Sequence, residues 1–405
     1  MNKEEIEEYL FPLEEKYDRG DYDWFLKKAK ISLSVPTIHI VGSNGKSTTA
    51  RYLANIYAAC GYKVGLLTNA YTESSLECIE INGKSMTEGT FSELVKEHGK
   101  LIKKAELSRY QILSAFAFSQ FEKEKCDLAI LESNLGGDID GSYVEGENQK
   151  LVILTSLSLE HTSILGTTLS QIALNKISLL EPDAKLLVPA LDDELVRLLR
   201  EETEKADCSL FVVDAYHFEN LVDGHYEFTY QPYKNIEIPS KTHYLIKDAC
   251  LALETTSLLK EEFPVVSEKV YEALSKTHIP MALEEEGAIL FDACSNTEAS
   301  EALVSSLAPF ANRPIHLIFA TEEESNIASM MPFLANYCAS VTLTSKEGLP
   351  HLRKENGYLL YTEDFRYIDN PHLAYETVRL NYPDDYILFS GSKDFVRAMR
   401  EYYAR

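Results

Sequence analysis

The chain predicts an α/β fold in two domains, each built on a mainly parallel sheet, and three features predict it. A short β-branched run, Thr37–Val41, passes through a glycine turn into Ser47–Ala59, where Tyr52, Leu53, Ile56 and Tyr57 recur at helical spacing. Gly61 stops that helix and Lys63–Leu67 reads as the next strand, which completes a βαβ unit and implies a parallel sheet covered by helices. A second alternating series of strands and helices begins near residue 278.

Further strands of the first series are expected at Asp127–Leu131, Leu151–Leu154, Leu186–Val188 and Leu210–Val213. The alternating stretch Gly224–Tyr230 suggests an antiparallel addition to the sheet edge. In the second series, strands are expected at Ala288–Phe291, Ile315–Phe319, Val341–Thr344 and Tyr386–Phe389. Pro280 punctuates the segment Lys276–Pro280, which places the domain division at residues 1–277 and 278–405. The acidic runs Glu284–Glu286 and Glu322–Glu324 read as solvated loops.

Bulk properties narrow the function classes. At 405 residues, with 45% apolar and 25% charged residues, the chain has the composition of a multidomain globular protein. A formal net charge of -25 argues against nucleic acid and anionic membrane as partners, so any anionic ligand needs a local site that overrides the global field. The seven cysteines are scattered without a C-x-x-C, which suggests a reducing compartment and no structural zinc. Residues Met1 to Glu8 are acidic and lack the apolar core of a signal peptide, and no run is long enough to span a membrane; a cytoplasmic monomer is expected.

The turn after the first strand carries the strongest chemical signal. Gly42, Ser43, Asn44, Gly45, Lys46, Ser47 and Thr48 form G-x-x-G-K-S-T between a strand and a helix. Glycines let backbone N–H groups approach a polyphosphate, and the helix start adds unsatisfied donors and partial positive charge. Lys46 would neutralise the terminal phosphates of ATP, and the Ser47 hydroxyl would ligate Mg²⁺. An ordinary glycine-containing turn would not require Lys and Ser directly after the second glycine. The loop is two residues shorter than the common G-x-x-x-x-G-K-[ST] form, which argues against a typical P-loop kinase.

This short loop resembles the G-T-N-G-K-[GST] loop of the Mur ligase superfamily, and other segments are similar to its folylpolyglutamate synthase/dihydrofolate synthase branch. Gly61–Thr68 resembles G-Y-K-V-G-L-Y-T, and Ile81-Asn82-Gly83 resembles I-N-G. Leu131–Gly137 with Asp140 is similar to L-E-V-G-L-G-G-R-L-D, and Thr155–Gly166 to T-S-I-G-L-D-H-T-E-I-L-G. Lys176 falls in the I-A-x-x-K position, and Gly391-Ser392 with Phe395-Val396 is similar to G-S-L-Y-F-V. The resemblance implies a P-loop ATPase domain followed by a smaller Rossmann-like α/β domain.

It also implies roles. Glu132, at the carboxyl end of a buried strand, would ligate Mg²⁺ with Ser47, and His161 would ligate a second Mg²⁺. Lys46, His161 and Lys176 would be catalytic, with Lys176 carbamylated as a metal-binding carboxylate, and Asp292 would contact the nucleotide. On the residues alone, a Glu or His at a strand end equally serves to cap a helix or bond a loop carbonyl, and a helical lysine is usually solvated. The implied reaction is ATP-dependent amide formation through an acyl phosphate, joining a folate-like carboxylate to glutamate.

Several positions depart from the pattern. P-G-R reads Pro280-Met281-Ala282, D-G-A-H-N reads Asp292–Asn296 with Ser295 in the histidine position, and H-Q-x-x-N reads His243–Lys247. T-S-P-H reads Thr68-Asn69-Ala70-Tyr71, on the side facing the pterin in the relatives. A ligase for a peptide or polyglutamate, and a non-catalytic nucleotide-binding paralogue, therefore stand beside the folate reading.

Overall fold

A computed structural model describes residues 1–13, 19–213, 217–222, 224–321, 324–345 and 366–403. The chain forms two compact units: Met1–Asn220 with Glu227–Ile238 and Leu245–Thr277, and His278–Arg405 with Leu221–Tyr226 and Pro239–Tyr244.

The first unit is organised by an eight-stranded sheet. Its strands are β1 (Thr37–Val41), β2 (Val64–Leu67), β3 (Ile79–Ile81), β4 (Lys84–Ser85), β5 (Leu128–Glu132), β6 (Gln149–Leu154), β7 (Lys185–Val188) and β8 (Ser209–Val212), in the spatial order β4-β3-β2-β5-β1-β6-β7-β8. The six strands from β2 to β8 in that order pair in parallel. Strands β1, β2 and β5 are buried along their whole length, so they read as continuous apolar runs. Strands β3 and β4 add an antiparallel hairpin, turned by Asn82 and Gly83 at φ 48° and 71°. That is the left-handed pair a two-residue hairpin turn favours.

Strand order places the ligand-binding edge. β1 lies between β5 and β6, with Ile40 beside Glu132 and Val41 beside Leu154. Chain leaving β1 therefore emerges between the exits of β5 and β6, the crevice where open α/β sheets bind ligands.

The alternating segment after Gly224 forms a strand, but not on the edge of this sheet. β9 (His217–Val222), β10 (His225–Tyr230) and β11 (Tyr233–Ile238) make a separate three-stranded sheet. Its apolar residues Phe228, Tyr230, Tyr233, Ile236 and Ile238 are buried. The Tyr230 hydroxyl donates to Glu254 Oε2 at 2.7 Å on the helix Leu245–Leu258, and Tyr233 packs edge-on against Tyr271 on the helix Ser267–Lys276. A strand with one apolar face needs a partner for that face, and these helices supply it locally.

The second unit holds a six-stranded sheet of β12 (Glu284–Glu286), β13 (Ile289–Asp292), β14 (Ile315–Ala320), β15 (Ser340–Leu343), β16 (Arg366–Tyr367) and β17 (Tyr386–Gly391), ordered β12-β13-β17-β14-β15-β16. All of its pairings are parallel except β12 with β13. Clusters of buried side chains cover both faces, with Leu317, Met331 and Leu388 in one and Ile318, Phe389 and Phe395 in the other. Among the described residues, no helix is long and apolar enough to cross a membrane, and all seven cysteines are free.

The acidic run at residue 284 is a strand and not a solvated loop. Glu284 is buried and takes two hydrogen bonds from Arg400, at 2.6 and 2.8 Å, and one from the Met281 amide at 3.0 Å. Glu284 is buried while Glu285 and Glu286 stay exposed, and a buried carboxylate requires a cation beside it. In the second run, Glu322 and Glu323 lie outside the described residues, and Glu324 opens the helix Glu324–Tyr337.

Burial opposes the charge on Glu284, but the bonds from His278, Arg400 and Met281 outweigh it and hold its carboxyl at about 2, below the ordinary 4.5. A lowered carboxyl pKa contributes stability that is complete above the unfolded value and lost as pH falls toward the folded one. Glu284→Gln is therefore expected to cost about 1.5–3 kcal/mol at neutral pH. In urea denaturation at a series of pH values, the gap between parent and variant should hold from neutrality to about pH 5 and narrow below about 4.5.

Candidate active site

The phosphate loop keeps its shape through its glycines and through the segment leaving β6. Gly42 has φ 143°, and a Cβ there would meet Thr155 Oγ1 at 2.1 Å. Gly45 has φ 80°, and a Cβ there would meet the Asp248 carboxylate at 2.2 Å. No other residue fits both the conformation and the space. The Ser43 amide donates to Ser156 O at 3.1 Å, the Asn44 amide to Ser156 Oγ at 2.9 Å, and Thr155 Oγ1 to Asn44 O at 2.6 Å. Gly45 is the N-cap of the helix Lys46–Ala59 and makes no side-chain cap bond, so the helix start carries the donors and partial charge that suit an anion. Thr48 is buried in the first turn.

Ser47 and Glu132 meet across this edge. Ser47 Oγ donates to Glu132 Oε1 at 2.7 Å, while Thr68 Oγ1 and the Asn69 amide donate to Oε2 at 2.5 and 3.0 Å. The Tyr110 hydroxyl donates to the Glu132 carbonyl, and Glu132 is buried. Adjacent ligands of an octahedral Mg²⁺ at its usual bond lengths stand about 2.9 Å apart, so Ser47 Oγ and Glu132 Oε1 fit neighbouring corners. Among the described residues, no group of three or more His, Cys, Asp or Glu is placed to hold a metal. A Mg²⁺ ion here would thus draw the rest of its shell from phosphate and water, as this cation commonly does.

Two lysines converge on one carbonyl. Lys46 Nζ donates to Gly42 O and Ser43 O, both at 2.9 Å. Lys176 Nζ donates to Gly42 O at 2.9 Å, to Leu135 O at 3.2 Å and to Glu160 Oε1 at 2.8 Å. Lys176 is 0% exposed, on the helix Leu169–Ile177, and is not the solvated helical lysine its residue type suggests. Burial pushes its ammonium pKa down, against the opposing pull of Glu160. Burial likewise opposes the charge on Glu160, but Lys46 and Lys176 outweigh it and hold that carboxyl below the usual range. His161 is exposed on the same loop, in the left-handed conformation at φ 46°, and begins the short helix Thr162–Leu165 without a side-chain cap bond.

The first unit thus brings together Gly42 to Thr48, Glu132 and Lys176. Asp292 belongs to the second unit, at the end of β13. It is buried, and its Oδ2 accepts from the Tyr244 hydroxyl at 2.7 Å and the Leu283 amide at 2.9 Å. Burial raises its pKa to about 7, against both of those hydrogen bonds.

Glu160, Ser156 and Asp248 also shape the site and were not singled out from the sequence, while Thr68 and Asn69, read there as part of the substrate loop, also bond the Glu132 carboxylate. Thr68 and Asn69 had a usable signal, because they follow the carboxyl end of a parallel strand. Asp248 had none, since only folding sets it against Gly45.

Removing one partner of a buried ion pair typically costs about 3–5 kcal/mol. Lys176→Met should lose stability toward the lower end of that range, because the Glu160 side chain keeps 16% exposure. The double variant with Glu160→Gln should recover part of the loss. Urea denaturation checks both, and a single variant within about 1 kcal/mol of the parent would remove Lys176 as the tie between these loops.

The chain is similar to known proteins over most of its length. Residues 40–241 match the Mur ligase middle domain. The chain is 24% identical over 391 residues to folylpolyglutamate synthase of Lacticaseibacillus casei, covering 90% of this chain and 89% of that one. It is 25% identical over 331 residues to dihydrofolate synthase/folylpolyglutamate synthase of Bacillus subtilis, covering 77% and 76%. Among solved structures, Mycobacterium tuberculosis folylpolyglutamate synthase complexed with ADP and AMPPCP superposes with a TM-score of 0.88 at 21% identity, over 100% of this chain and 98% of that one. An FPGS-AMPPCP-folate complex superposes with a TM-score of 0.88 at 20% identity, over 99% of each chain. These structural likenesses establish the two-domain fold, and the family match with the sequence relatives shows that the chain belongs to the Mur ligase superfamily, similar over most of its length to the folylpolyglutamate synthase/dihydrofolate synthase branch.

Proposed function

We propose that the chain is an ATP-dependent ligase that adds glutamate to a folate through an acyl phosphate, working as a cytoplasmic monomer. One observation carries the reading: Ser47 and Glu132 stand 2.7 Å apart beside Lys46 on a glycine-shaped phosphate loop. Relatives named for folate glutamylation, and a relative's complex with AMPPCP and folate, support the substrate class.

The residues divide the work. The loop from Gly42 to Thr48 would receive the phosphates of ATP, and Lys46 would exchange its contacts with Gly42 O and Ser43 O for the terminal phosphate oxygens. Ser47 and Glu132 would hold Mg²⁺, and the family resemblance implies His161 as ligand of a second ion. Bound there, Mg²⁺ would supply charge neutralisation to the transferring phosphoryl group. A carboxylate oxygen of the substrate then bonds the γ-phosphorus as ADP leaves. The glutamate amine next bonds the carbonyl carbon and gives up its proton, phosphate departs, and the amide remains. Lys176 supports the floor of the site as a cation. The carbamylated form that the family resemblance implies would need a neutral amine, which its lowered pKa favours. For Asp292, the family resemblance alone implies a nucleotide contact.

A second reading has its own observation. The Arg109 guanidinium lies over the Tyr71 ring at 4.8 Å and donates to Ser75 Oγ at 2.9 Å. A cation beside the loop Thr68–Tyr71 favours a substrate carrying an additional carboxylate there, such as a γ-glutamyl peptide.

The test is ADP release with dihydropteroate or a reduced folate plus glutamate, run in parallel with a γ-glutamyl peptide. Lys46→Ala should cut turnover by about a hundredfold or more while the melting temperature stays close to the parent's. Near-parent turnover in that variant would contradict the reading. Turnover with the peptide alone would move the substrate out of the folate class and leave the ligase chemistry standing.

A further inference from the structure

Glu132 is held by a closed circuit of contacts that its own loop completes. Its Oε2 accepts from the Asn69 amide at 3.0 Å, and Asn69 Nδ2 donates to Asn134 Oδ1 at 2.7 Å. Asn134 lies two residues beyond Glu132 on the same strand exit, so the path runs from the carboxylate through Asn69 and back to the glutamate's own backbone. Thr68 Oγ1 closes on the same Oε2, and the Ala70 amide donates to Thr68 Oγ1 at 3.2 Å. With Oε2 engaged from the β2 exit, Oε1 is the oxygen turned toward Ser47.

Both asparagines stand at departures from the family pattern: Asn69 occupies the serine position of T-S-P-H, and Asn134 a glycine position of L-E-V-G-L-G-G. Two departures that touch each other are one feature. A loop without the pattern's proline has more backbone freedom to lose. An amide-to-amide bond between the two loops takes up that freedom at the point where the Asn69 N–H must face the carboxylate.

We infer that Asn69 and Asn134 are positioning residues for the metal-binding carboxylate. Their clasp fixes the Glu132 rotamer with Oε1 toward the phosphate loop and thereby sets the affinity for Mg²⁺ with nucleotide. This rests on the nucleotide-site reading given above. It requires no contact of either asparagine with substrate or metal.

The experiment is calorimetric titration of AMPPCP into the full chain at a series of Mg²⁺ concentrations, with thermal melts of each protein. Asn69→Ala and Asn134→Ala should each raise the Mg²⁺ concentration for half-maximal nucleotide binding by about three- to tenfold, the effect of one net hydrogen bond. The double variant should shift no further than the larger single, because either change opens the same circuit. Asn69→Ser keeps the backbone N–H and a small polar side chain but cannot reach Asn134; it should show the same shift with a parent-like melt. Parent-like Mg²⁺ dependence in both alanine variants, or shifts that multiply in the double, would overturn the proposal. A parent that binds no nucleotide in the presence of Mg²⁺ would overturn the nucleotide-site reading itself, and the clasp with it.

Discussion

The Lys176 ammonium is the contact on which the geometry of the site depends. An ammonium removed from water needs acceptors on every side, and Lys176 finds them on three different loops: Gly42 after β1, Leu135 after β5 and Glu160 after β6. Each loop leaves the sheet at the same edge, so one buried cation sets their spacing. Lys46 shares Gly42 O with it, which ties the lysine of the phosphate loop to the same centre. Two ammonium groups are thereby brought to the phosphate loop, with the carboxylates of Glu160 and Glu132 close by, in a chain whose formal net charge is -25.

That dependence explains which parts were legible in the sequence. The β-branched run at Thr37–Val41, the glycines at 42 and 45 and the Lys46–Ser47 pair encode a strand, a turn and a helix start within a dozen residues, so local rules suffice. Glu132 was legible because a buried parallel strand ends on it. Lys176 was legible only by resemblance; its burial is decided by acceptors 16 to 134 residues away in the chain. Glu160 stands next to His161 in the same segment, yet it is Glu160 that bonds Lys176. The segment after Gly224 carried the correct strand period, but period does not say which sheet a strand joins. At Glu284 a run of like charges hid a strand, because the first carboxylate is buried against Arg400, a partner more than a hundred residues away.

The departures from the family pattern also become intelligible as contacts. Tyr244 stands in the glutamine position of H-Q-x-x-N and donates to Asp292, the acid that the pattern keeps. Thr242 Oγ1 donates to the carbonyl of Ala282, where the pattern has arginine. In the first unit, Asn69 meets Asn134. One departure thus meets another, at Asn69 and Asn134, while Tyr244 and Ala282 meet residues that are not departures; Lys46, Ser47 and Glu132 stay in place.

The central claim is that a substrate carboxylate is activated by transfer of the γ-phosphoryl group. An ¹⁸O-labelled carboxylate substrate, turned over with ATP and glutamate, tests it directly. An acyl phosphate route carries one labelled oxygen from the carboxylate into inorganic phosphate when the amine displaces it. The account predicts ¹⁸O in the released phosphate, read by ³¹P NMR, in proportion to amide formed. Amide formation with unlabelled phosphate would contradict it.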